Sequence, residues 1–229
     1  MNRLFRLGAL LTVAASALLA GCATRLPMAL SEGKAPKEDK VTVLMHVSLA
    51  NNYKTRYQPK LIVAHFEVPN ADSKEQRFNF QPDEAATQIP PETDDEKVMP
   101  HQYFLSMELD PGEYLFGGMS SMAQAFPFIG HFHTPIMQTL SFKSPGVFYI
   151  GHVNAAVRER KDDEPRAGGV IPVLDQAVTG ASGGAFDVEV SDDWDTVRNK
   201  FVMVYPSLEK AEVQKQILPA WDRKQAYPE

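Results

Sequence analysis

Met107-Glu108-Leu109-Asp110-Pro111-Gly112-Glu113-Tyr114-Leu115-Phe116 and Leu140-Ser141-Phe142-Lys143-Ser144-Pro145-Gly146-Val147-Phe148-Tyr149-Ile150 share one grammar: strand, Pro-Gly, strand. Proline at the second turn position presets φ, and glycine at the third accepts a positive φ. Both stretches therefore predict type II turns joining the strands of two hairpins. Short strands punctuated by Gly and Pro argue for an antiparallel β-sandwich or barrel.

The same signal extends to either side. Residues 41–49 (Val-Thr-Val-Leu-Met-His-Val-Ser-Leu) alternate, with Val41, Val43, Met45, Val47 and Leu49 on one face, which predicts a half-buried strand. Residues 60–67, 77–81, 170–174 and 186–190 read as further strands, and the acidic, Pro-containing stretch 81–99 reads as a loop. The period then changes. Trp194, Val197, Phe201, Val204 and Leu208 recur near 3.6 residues behind Ser191 or Asp192 as a cap, with Pro206 interrupting. Residues 208–218 are rich in helix formers and predict a second short helix. The expectation is a mainly β protein, an antiparallel β-sandwich with one or two C-terminal α-helices, as one domain over residues 41–229.

The N-terminus reads differently. Arg3 and Arg6 precede an uncharged run rich in Leu and Ala, which ends at Leu19-Ala20-Gly21-Cys22. That run is shorter than the about 20 apolar residues a spanning helix needs, so residues 1–21 read as a secretory signal. Cys22 is the only cysteine, so no disulfide can form within the chain. Residues 22–40 are polar with Pro and Gly, which predicts a flexible tether. Without Arg3 and Arg6 the 23 basic residues become 21, against 29 acidic ones, so the mature chain carries −8. An acidic chain without a clustered basic face argues against nucleic acid as a partner.

Leu19-Ala20-Gly21-Cys22 resembles the lipobox of bacterial lipoproteins. The resemblance implies cleavage before Cys22, a diacylglycerol on its thiol, an acylated (palmitate-type) amine and attachment to a membrane. Two or three acyl chains give stable anchoring where one is marginal. Ala23, where an Asp would favour retention at the inner membrane, implies the outer membrane, facing the periplasm. The Leu109-Asp110-Pro111-Gly112-Glu113-Tyr114 and Pro145-Gly146-Val147-Phe148-Tyr149-Ile150-Gly151 stretches and the end Tyr205-Pro206-Ser207-Leu208 resemble uncharacterised bacterial lipoproteins with prealbumin-like or immunoglobulin-like sandwiches. That second resemblance implies a fold and no catalytic residue.

Several residues could carry chemistry. Met119, Met122, His131 and His133 combine thioether and imidazole. If they converge they suit copper, and the two histidines on one strand face suit zinc. Gly180-Ala181-Ser182-Gly183-Gly184 matches Gly-x-Ser-x-Gly, but a nucleophile elbow needs a helix after it and the following residues read as strand. Asp192, Asp193 and Asp195 suit a helix start better than a calcium loop. Tyr53-Lys54-Thr55-Arg56-Tyr57 interleaves aromatic and basic side chains suited to a glycan, and Phe126, Phe128 and Phe132 read as core. The acids 162–164 read as solvated surface. The expected function is a non-enzymatic binding or interaction module of the envelope, with no cofactor and an envelope protein or glycan as partner. The alternatives are a metal-handling protein using the Met/His set and a serine hydrolase using Ser182.

Overall fold

β2 (Val41–Asn51) is the spine of the molecule. All of its residues are buried, on both faces, because a second sheet packs on one side and a helix on the other. The sequence expectation of a half-buried strand holds for the inward set Val41, Val43, Met45, Val47 and Leu49, and is corrected for the outward one. The computed structural model describes residues 25–83, 88–89, 100–170 and 177–227.

The remaining strands are β1 (Arg25–Leu26), β3 (Lys60–Glu67), β4 (Arg77–Phe80), β5 (Gln88–Ile89), β6 (His101–Leu109), β7 (Gly112–Ala125), β8 (Phe128–Phe142), β9 (Gly146–Glu159), β10 (Gly184–Ser191) and β11 (Val213–Lys215). One sheet runs β1-β4-β3-β7-β8, and the other runs β10-β9-β2-β6-β5 with β11 added to β9. Their inner faces form the core, where Phe66, Phe116, Met45, Leu105 and Ile150 meet. The sandwich is therefore as expected, although it is not wholly antiparallel: β2 and β9, β1 and β4, and β11 and β9 pair in parallel.

Both Pro-Gly stretches are corners between sheets, not hairpin turns. β6 pairs with β2 in one sheet while β7 pairs with β3 and β8 in the other. β8 and β9 divide in the same way. Gly112 has no positive φ and Gly146 has φ 152°, so neither takes the φ near +80° of a type II turn. The Tyr114 hydroxyl donates to the Asp110 carbonyl at 3.0 Å and pins the first corner. A tight hairpin is instead formed by β7–β8, closed between Ala125 and Phe128. Phe126 stands at its tip, 92% exposed, which corrects its reading as core; Phe132 is buried.

Two further expectations change. Residues 25–40 are not a free tether: β1 pairs with β4, Met28 and Leu30 are buried, and Ala29 N–H donates to the Ser106 carbonyl. The stretch 208–218 is not a helix. Its centre is β11, and Gln216 and Leu218 donate to the carbonyls of Tyr149 and Ile150. β10 pairs β9 only from His152 onward, so the start of β9 has an open edge whose backbone groups need partners. That requirement outweighs helix propensity, which tertiary context routinely overrides.

α1 (Trp194–Val204) follows the expected spacing and ends before Pro206. Trp194, Val197 and Phe201 pack on Leu44, Phe104, Val147 and Tyr149, the outward face of the β2 sheet. α2 (Arg223–Ala226) belongs to a tail that straps β8 and β10: Trp221 donates to the Pro135 carbonyl and Arg223 pairs with Asp187. Among the acids 162–164, Glu164 is not simply solvated, because Arg158 grips it with two 2.6 Å bonds that hold its carboxyl down to about 2. The strand expected over 170–174 falls almost wholly on residues outside those described.

Candidate functional site

Beyond the end of α1, the outward face of the β2 sheet turns polar. His46 of β2 has Phe104 of β6 and His152 of β9 as its ladder partners. Its ring stacks on both, at 4.7 Å from Phe104 and 3.9 Å from His152, with interplanar angles of 8° and 16°. His152 owes its position to a bulge. The β2–β9 register shifts between Leu44 and His46, and Gly151 takes φ 113°. The extra residue lets Tyr149 and His152, three apart, face outward together, where strict alternation would turn one of them into the core.

Asp193 precedes α1 yet makes no capping bond with its side chain. Asp192 receives the Trp194 N–H instead, at 3.2 Å. Asp193 turns to the sheet. Its Oδ2 accepts from His46 Nδ1 at 2.8 Å and lies 3.4 Å from His152 Nδ1, and its Oδ1 accepts from the Tyr149 hydroxyl. On the far side of His152, Nε2 is 2.8 Å from Ser48 Oγ. Ser48 is 4% exposed, and His46 Nε2 is buried without a partner.

The charges follow from this geometry. Burial pushes the His152 imidazole down to about 4, the neighbouring His46 adds to the effect, and the Asp193 carboxylate opposes it. Burial alone would raise Asp193, but the bonds from His46 and Tyr149 outweigh it and hold the carboxyl below its ordinary value. The Tyr149 hydroxyl is driven far upward, by burial first and by Asp193 second. At neutral pH the Asp193 carboxylate is wrapped by the Tyr149 phenol, the neutral His152 imidazole and the His46 ring.

Three chemistries can be weighed here. Ser48, His152 and Asp193 have the polarity of a nucleophile relay. The short bond of Asp193 goes to His46, however, and a groove of about 570 Å³ lined by Leu26, Met28 and Phe80 contains none of the three. His46, His152 and Asp193 offer three metal-ligating atoms within 4.8 Å of one another. Imidazole lone pairs lie in the ring planes, so nearly parallel stacked rings do not aim at one ion until one of them turns. His152, at 17% side-chain exposure against 5% for His46, is the ring with room to do so. As it stands, the cluster is a hydrogen-bonded network centred on the Asp193 carboxylate.

The structure does not bring the Met/His set together. Met119 lies in the core, fully buried, whereas Met122 pairs with His131 on the outer face of the other sheet and His133 pairs with Ser120. His133 stands 6.2 Å from His65, which is bonded to Asn79 and Ser120, and burial with that neighbour lowers its pKa. Ser182 sits in the turn before β10, so a strand and not a helix follows it. Lys54 lies over the Tyr53 ring at 4.5 Å, and Arg56 and Tyr57 line a groove of about 430 Å³ with His101 and Gln124.

His46, Ser48 and His152 escaped the sequence reading, which placed Asp193 at a helix start, although two signals pointed to the cluster. The outward face of β2 reads Thr42, Leu44, His46, Ser48, too poor in charge for open solvent. Gly151 within a strand marks a bulge. Comparison with protein-family models, curated proteins and solved structures finds no match.

Proposed function

We propose that this protein is a bacterial envelope lipoprotein, anchored through lipid on Cys22 to the outer membrane and facing the periplasm. Its sandwich serves as a non-enzymatic binding or interaction module. The observation that carries the reading is Leu19-Ala20-Gly21-Cys22 behind a charged start and an apolar run. The lone cysteine of the chain falls at the required position. A binding role is favoured over catalysis because Ser48 is enclosed and its histidine has no short bond to an orienting acid. Fractionation of cells expressing the full chain tests the anchor. The wild type sediments with membranes and Cys22→Ser is released to the soluble fraction; equal sedimentation of both contradicts the reading.

A second reading rests on His46, His152 and Asp193: the module handles a transition-metal ion, zinc or copper, through two imidazoles and a carboxylate. The His131/His133 pair, separated from the buried Met119, is then the control. In native mass spectra of the domain offered zinc, a bound ion that survives His131→Ala/His133→Ala and disappears in His152→Ala supports this reading. A bare mass in the wild type removes it.

A further inference from the structure

The described residues begin at Arg25, three residues after Cys22. Consecutive Cα atoms are 3.8 Å apart, so Cys22 and Arg25 lie within about 11 Å of each other whatever the path between them. Arg25 is fixed to the domain. It pairs with Asn79 while Leu26 pairs with Phe80, and the Leu26 carbonyl accepts from Gln81 N–H. Met28 and Leu30 then bury themselves and tie the segment to Ser106. A lipid on Cys22 therefore has no long tether, and the edge of the sandwich formed by β1 and β4 lies within about 11 Å of the attachment point.

The two edges of the molecule differ in how they are closed. The C-terminal tail crosses the β8/β10 edge, bonding to Pro135, Met137 and Asp187. Among the described residues the opposite edge of that sheet carries only the two-residue β1 over β4, a short strand of the kind that ends a sheet. Beside it opens the groove of about 570 Å³, with Leu26, Met28, Phe78, Phe80 and Leu109 in its walls. Lysines stand around it in pairs with acids: Lys37 with Glu108 at 2.8 Å, Lys40 with Asp110 at 2.6 Å, and Lys34 with Glu32 at 3.4 Å. Long stems over apolar walls with charged heads outward match the headgroup level of a bilayer, and the balanced charge matches zwitterionic lipid.

We propose that the lipidated protein lies directly against the bilayer along its β1–β4 edge, with the groove beside β4 facing zwitterionic phospholipid headgroups and the β8/β10 edge turned away. This rests on lipidation of Cys22. From β1 to β8 is four strand spacings, about 19 Å, so the two edges are held at clearly different depths.

Cys22 is the only cysteine, and its thiol is consumed by the lipid, so one introduced cysteine carries one label. Full-length chain is purified from membranes, and its intact mass is read first. An unlipidated mass would remove the anchor, and the proposal with it, before any label is measured. Lipidated Gln81→Cys and Glu189→Cys, both exposed positions, are then labelled with a fluorophore. They are reconstituted in vesicles of phosphatidylethanolamine and phosphatidylcholine containing a headgroup-nitroxide lipid. The expected result is loss of most fluorescence at position 81 and little loss at 189. Inserting a long Gly/Ser linker after Ala23 should abolish the difference. Equal signals at the two positions, stronger quenching at 189, or a difference that survives the linker would overturn the proposal.

Discussion

Of the two acids before α1, Asp192 serves the helix and Asp193 leaves it for His46 and Tyr149. The sequence placed both at a helix start, and nothing local distinguishes them; the choice is made by histidines far away in the chain. His152 gives the cluster a pH signature. The His152 pKa falls from 6.5 in the unfolded chain to about 4 in the fold. Between those values the unfolded chain binds more protons, so stability is full above pH 6.5 and is lost as the pH falls towards 4. The full loss is on the order of 3 kcal/mol. Asp193, held below its ordinary value, adds a further loss at more acidic pH. Urea midpoints measured across this range should fall for the wild type and fall less for His152→Gln. A wild-type midpoint that does not change from pH 6.5 to 4 contradicts the placement of His152. Gly151→Ala should cost about 2 kcal/mol, because φ 113° strains any L side chain and the new Cβ would stand 3.1 Å from the Ser191 carbonyl oxygen. Thermal melting of that variant checks it, and an unchanged midpoint would deny the bulge.

Among the elements, strands were legible where alternation was strong and helices where a 3.6-residue stripe was long. β2, β3, β4 and α1 lie where the residues predicted them. What the pattern missed is set by partners. Pro-Gly reads as a turn, but whether it returns the chain to its own sheet or carries it to the other depends on which strands pair, and local sequence does not encode that. Residues 208–218 and 25–40 failed for one physical reason: each meets an open strand edge or a core vacancy that rewards extended backbone more than helix or coil. Two substitutions measure these contacts. Met28→Ala should destabilise by about 2–5 kcal/mol, as a buried side chain does, whereas a free tether would show no change in denaturant midpoint. Phe201→Ala removes the ring that meets Phe104, Tyr149 and Trp194 and should cost about 3–5 kcal/mol. A smaller effect than that of an exposed substitution such as Met203→Ala would deny that α1 is seated on the sheet.

At the scale of the whole molecule, the parallel pairing of β2 with β9 is the decisive feature. It sets residues 46 and 152 side by side although more than a hundred residues separate them, and α1 then delivers Asp193 to both. Periodicity finds each strand and cannot say that these two are neighbours, which is why the Met/His set of one hairpin seemed the better candidate. The N-terminal expectation rests on a different kind of signal, since targeting chemistry is read by enzymes from contiguous residues and needs no fold. Together these features describe a sandwich with a polar cluster beside its helix, an exposed aromatic tip at Phe126 and a first strand laid on β4, to which the proposed lipid anchor would add an attachment at Cys22. The anchor is the claim on which the cellular role depends. It is tested most directly by the mass of the N-terminal peptide of the protein extracted from membranes. The account predicts a peptide that begins at Cys22 and carries a diacylglyceryl group on the thiol. A peptide that begins elsewhere, or a free thiol on Cys22, would contradict it.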